Sequence, residues 1–140
     1  MSDNTISLAS LMTPSKTVTI DYPGYTGMTV DLCYLAREEL IKLRKKTITT
    51  KFDKKTRQPM EILDEDKFLA EYVKAVIKGW SGLKYHYLEE LLLVDISELD
   101  SDDTLTFTQE NAELLMRNST DFDTWVTETV GDLENFTGRK

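Results

Sequence analysis

Residues 77–87 read IKGWSGLKYHY and hold the parts of a hydrolase within eight positions: Ser81 between Gly79 and Gly82, and the chain's one histidine, His86. A serine is a weak nucleophile until a neighbouring base takes its proton, and that base needs an orienting acid. Glu89 and Glu90 are the acids nearest in sequence. The stretch nevertheless lacks one residue of the G-x-S-x-G elbow, which must follow a strand and open a helix. Here the upstream spacing is helical, so Ser81 reads as a serine at a joint between helices and His86 as a surface or capping residue.

Other reactive side chains fare no better. Cys33 has no base beside it in sequence and reads as a small residue on the polar face or at the end of a strand. One cysteine excludes an intramolecular disulfide, and one histidine leaves no Cys/His cluster of the structural zinc type. The run DISELDSDD supplies Asp95, Glu98, Asp100, Asp102 and Asp103. It has no glycine for the central turn that a calcium loop requires, so it reads as a solvated acidic loop. The six glycines are scattered, and none forms a phosphate-cradling loop. No catalytic residue, cofactor or metal is expected, and the chain reads as a non-enzyme.

The elements that carry these residues follow from periodicity. Residues 1–15 are small and polar and are expected to form a flexible leader with one short turn near Leu8 to Met12; residues 16–140 are expected to be a single domain. TVTIDYP and MTVDLCY alternate apolar and polar positions on either side of GYTG, which predicts a β-hairpin. LAREELIKLRKK switches to helical spacing, with Glu38 and Glu39 early and Lys42, Arg44, Lys45 and Lys46 late, matching the helix dipole. Residues 47–63 read as a loop or a second short hairpin anchored by Ile48, Phe52 and Met60. Asp64 caps the clearest helix, whose stripe of Phe68, Leu69, Tyr72, Val73, Val76, Ile77 and Trp80 runs on to Gly79 and Gly82 as its stop. A short helix after residue 85, one capped by Thr108 and one opening at Thr120 complete the plan. The expected fold is α+β, mostly α: an N-terminal β-hairpin followed by about five helices in one compact domain.

Charge is unevenly spread over this plan. The net charge is -8, yet residues 37–57 carry nine basic and three acidic side chains, while residues 89–134 carry fourteen acids and only Arg117. A chain so acidic, whose basic stretch 42–57 holds one aromatic residue, Phe52, and no interleaved series of them for base stacking, is not expected to bind nucleic acid. Head-to-tail self-association between the two ends is an expectation that the asymmetry does raise. No signal peptide and no membrane span is expected.

VTIDYPGYTGMTVDLCYLAREELIKLRKK, TKFDKKTRQP, FLAEYVKAVIKGWSGLKYHYLEELL and FTQENAELLMRNSTDFDTWVTETVGDLENF follow one another in this order. Together they resemble the tail assembly chaperones of long-tailed, siphovirus-type bacteriophages over about residues 16–136. The resemblance implies a non-enzymatic protein of the host cell cytoplasm that solubilises the tape-measure protein, helps recruit tail-tube subunits, self-associates and is absent from the mature virion. Many members of that family also exist as a longer frameshifted product. The competing expectation is a structural tail component, a tail-tube or tail-completion protein, although tube-forming proteins are mostly β. A holdase needs apolar side chains beyond those that one core face absorbs, and the candidates for partner binding are Trp80, Leu83, Tyr85, Tyr87 and Leu93.

Overall fold

The computed structural model describes residues 5–13 and 16–137. It keeps the α+β character and overturns the expected plan of an N-terminal hairpin followed by about five helices. Among the described residues there are seven helices and two small sheets, and the first strand comes after a helix. That helix, α1 (Leu8–Leu11), is a single turn none of whose residues is buried. The rest of the leader expected over 1–15 falls partly outside the described residues.

The predicted hairpin forms from β1 (Thr17–Asp21) and β2 (Thr29–Cys33), with Val18 opposite Leu32 and Ile20 opposite Val30. Cys33 sits at the strand end and is buried. α2 (Arg37–Lys46) keeps its acids first and its bases last. It stops where the Thr47 hydroxyl donates to the carbonyls of Leu43 and Arg44, at 3.0 and 3.1 Å. The second hairpin is real: β3 (Ile48–Phe52) pairs with β4 (Pro59–Leu63) and, among the described residues, with no other strand. Its turn is closed by the Asp53 carboxylate, which accepts from the Lys55 amide at 2.8 Å.

α3 (Glu65–Val76) begins as predicted, the Asp64 side chain accepting from the Lys67 amide at 3.1 Å. It does not run on to Trp80. The chain leaves the helix at Ile77 and becomes β5 (Ile77–Ser81), which pairs antiparallel with β2, Trp80 opposite Val30, giving a three-stranded sheet in the order β1-β2-β5. The physical reason is that β2 would otherwise present a row of unpaired amides and carbonyls, and β-branched Ile77 and aromatic Trp80 suit a strand. Gly79 serves close approach, because a Cβ there would stand 2.9 Å from the Asp31 carboxylate.

α4 (Tyr85–Leu91), α5 (Gln109–Asn118), α6 (Thr120–Val130) and α7 (Glu134–Thr137) follow. Thr108 caps α5 as predicted, its hydroxyl accepting from the Asn111 amide at 3.0 Å. The α6 cap is Ser119, one residue before the expected Thr120, and its hydroxyl accepts from the Phe122 amide at 3.3 Å. α5 runs antiparallel to α3: Gln109 donates to the Ala70 carbonyl at 3.1 Å, and Arg117 meets Asp66 at 2.9 Å.

The core lies between the sheet and these helices. Met28, Val30 and Leu32 of the hairpin meet Val73 and Val76 of α3, Leu115 and Met116 of α5, and Phe122, Val126 and Val130 of α6. At one end the rings of Tyr22, Phe122 and Trp125 gather, with Tyr22 to Trp125 at 4.7 Å between centroids. Burial first, then the charges of Tyr25 and Asp121, push the Tyr22 phenol from its ordinary value of 10.0 up to about 12. The unfolded chain then loses this proton before the folded one does, so the stabilisation is complete below pH 10 and lost as pH rises through 12. Phenolate absorbance should show a tyrosine titrating that late, and Tyr22→Phe should remove it and flatten the alkaline fall in stability.

Candidate functional site

The segment that carried the hydrolase-like residues lands in three different places. Ser81 ends β5, exposed and opposite Thr29. Gly82 holds a left-handed turn at φ +73°. His86 lies in the first turn of α4, its Nε2 facing the Asp102 carboxylate at 3.8 Å and its ring 4.5 Å from that of Tyr87. Asp102 belongs to the acidic loop, which is tied across the start of α4: the amides of Tyr85 and His86 donate to the carbonyls of Asp103 and Ser101, at 2.9 and 3.1 Å. Within the loop the Asp95 carboxylate accepts from the Ser97 amide at 3.0 Å. That bond and one to the Ser97 side chain hold Asp95 below the usual carboxylate range. Among the described residues no group of three or more His, Cys, Asp or Glu is placed to hold a metal ion, and no helix is long and apolar enough to cross a membrane.

The five residues marked for partner binding divide sharply. Trp80 and Leu83 are core residues, at 9% and 0% exposure. Trp80 stands edge-on to Phe107 and Phe122, and its Nε1 donates to the Leu105 carbonyl at 2.9 Å. They therefore offer no surface to a partner: Trp80 enters the core from β5, and Leu83, just past the strand, joins the same cluster. Tyr85 and Tyr87 are half-buried. Tyr87 stacks on Tyr25 and donates its hydroxyl to the Thr26 carbonyl at 2.7 Å, fastening α4 to the β1–β2 turn. Leu93 alone is fully in solvent, because α4 ends at Leu91 and the apolar run LLLV continues past the face it was packing.

What sequence reasoning missed is a cleft. α2, α3, α5 and α6 leave between them a half-open space of about 220 Å³ walled by Leu35, Leu40, Phe68, Leu69, Tyr72, Met116 and Val130. Arg44 of α2 and Asp123 of α6 also line it and are exposed. The Arg44 guanidinium lies over the Phe68 ring at 5.5 Å, and Phe68 stacks on Tyr72. Burial, the largest influence, raises the Tyr72 phenol against a hydrogen bond with Thr127 that lowers it. This space is smaller than the roughly 300–1,000 Å³ of small-molecule sites. Its walls are apolar and its rim carries one charge of each sign, which suits the apolar face of a docked helix. The helical stripe read from the sequence includes Phe68, Leu69 and Tyr72, so the signal is present but indistinguishable from core.

No family model, no curated protein and no solved structure matches this chain.

Proposed function

We propose that this chain is a non-enzymatic bacteriophage tail assembly chaperone, which holds the tape-measure protein in solution in the host cytoplasm, helps recruit tail-tube subunits and leaves before the virion is complete. The reading rests on the sequence resemblance over residues 16–136 and on one structural observation, the half-open apolar cleft between α2, α3, α5 and α6. A long helical client presents apolar stripes that aggregate in water. A chaperone of net charge -8 that covers such stripes gives the complex a charge that keeps copies apart. The cleft offers Leu40, Phe68 and Leu69 to the stripe, with Arg44 and Asp123 beside it for charges of either sign on the polar flanks of the client helix.

Co-expression with the tape-measure protein of the same phage tests the proposal. The client should stay soluble and co-purify, and mass spectrometry should find no copy of this chain in finished tails. Leu40→Glu places a carboxylate on the cleft wall of a half-buried position, where an unpaired charge opposes apolar docking. The expected result is a loss of client co-purification on the order of tenfold or more, with the thermal melt of the chaperone alone nearly kept. A client that stays insoluble beside the wild-type chain overturns the reading, and recovery of the chain in the particle favours a structural tail component instead.

A further inference from the structure

The cleft is not where most of the exposed apolar surface lies. Beside the uncharged α1 segment, where Ile6, Leu8, Leu11 and Met12 are exposed, two places group exposed large apolar side chains with charges, and the charges are opposite in balance. On the β3–β4 hairpin, Ile48, Phe52 and Met60 are exposed, Phe52 at 64%. Around them stand Lys51, Lys54, Lys55 and Arg57, none of which joins an ion pair among the described residues. In the segment after α4, Leu93, Val94 and Leu99 are exposed, Leu93 at 103%. Asp95, Glu98, Asp100 and Asp103 surround these, again without an ion-pair partner among the described residues.

Scattered exposed leucines are ordinary, and an acidic loop alone is only solvated. The match in construction is what points to an occupant. Each face has a few unpacked apolar side chains set among unpaired charges; the hairpin is net positive, four bases against Asp53 and Glu61, and the 93–103 segment has acids alone. Within one copy the apolar side chains of both faces stand in solvent, so each face is free to meet its counterpart on another copy.

We propose that the β3–β4 hairpin of one copy docks on the 93–103 segment of a second copy. Phe52 and Met60 cover Leu93 and Leu99, and Lys54 and Lys55 face Glu98 and Asp103. The contact is heterologous, so each copy keeps one free face of each kind and chains or rings of copies grow from it. It involves fewer than the ~20–30 residues a side of a standard complex, which makes it weak and dependent on salt. Neither face lines the cleft, so the inference is independent of client binding.

Sedimentation velocity on the full chain is the test, run over rising concentration at low salt and at about 0.5 M salt, where the screening length falls to a few ångströms. The weight-average mass should rise with concentration at low salt and fall toward the monomer at high salt. Lys54→Glu with Lys55→Glu, and separately Glu98→Lys with Asp103→Lys, should each weaken association on the order of tenfold or more, with circular dichroism unchanged. Mixing the two variants should restore it, because the reversed hairpin of one meets the reversed loop of the other and the unaltered faces also meet. A wild-type chain that stays monomeric at low salt, reversals without effect, or a mixture that stays monomeric overturns the proposal.

Discussion

Gly82→Ala is expected to destabilise the protein by roughly 2–5 kcal/mol, where Gly24→Ala costs about 1 kcal/mol. Both glycines have positive φ, +73° and +85°, so both substitutions meet the steric cost of an L-residue in the left-handed region. They differ in what the new methyl would touch. Around Gly24 there is nothing within 4 Å. At Gly82 the Cβ would run into the Gly27 carbonyl, with its carbon at 2.8 Å and the Met28 Cα at 3.3 Å. That contact is backbone against backbone, and no rotamer relieves it. To make room, the β1–β2 turn has to move away from the end of β5, although Thr29 and Ser81 are paired there. The disturbance spreads because the next residues hold the acidic loop: the Leu105 amide donates to the Leu83 carbonyl at 2.8 Å, and Lys84 forms a bridge with Thr104. Urea denaturation of the two variants beside wild type measures the difference, and equal midpoints would show that the close approach at Gly82 does not constrain the fold.

The same residue shows how far the sequence could be read. Gly79 and Gly82 read as the stop of one helix, yet α3 ends before either, Gly79 is paired inside β5 and only Gly82 makes a turn. That change of element was not legible, because Val73, Val76, Ile77 and Trp80 satisfy a helical stripe, while Ile77 and Trp80 also suit a strand. The choice is made by β2, whose residues 29–32 lie almost fifty positions earlier and need a partner on their second edge. Local signals did better where the deciding contact is itself local. The Asp64 and Thr108 caps and the alternation of β1 and β2 are determined within a few residues, and each falls where the spacing put it. The candidate site divides along the same line. Leu93 stood out as apolar excess because α4 has already used its one buried face by Leu91. The cleft needs four helices brought together from residues 35 to 131, and nothing in any one stretch distinguishes its wall from core.

Phe122→Ala should be the most damaging single truncation, at about 3–5 kcal/mol, against a total stability that for domains of this kind is roughly 5–15 kcal/mol. Phe122 is fully buried on α6, with ring centroids at 5.9 Å to Tyr22, 6.3 Å to Trp125 and 6.4 Å to Trp80. It thus joins the hairpin, β5 and α6 through one side chain. Removing the ring forfeits its burial and leaves a cavity whose walls are other rings, held by their own contacts. Trp80 is fixed by its bond to the Leu105 carbonyl and cannot swing in without breaking it. Little collapse is available, which places the cost toward the upper part of the range for aromatic truncations. Phe122→Leu fills most of the volume and should cost well under half as much. The two tryptophans of the chain flank the site, so their emission reports on it directly. In the alanine variant it should shift to the red before global unfolding, while far-ultraviolet circular dichroism still shows the helices. If the alanine and leucine variants unfold at the same urea concentration, the ring is not the link between sheet and helix that its position implies.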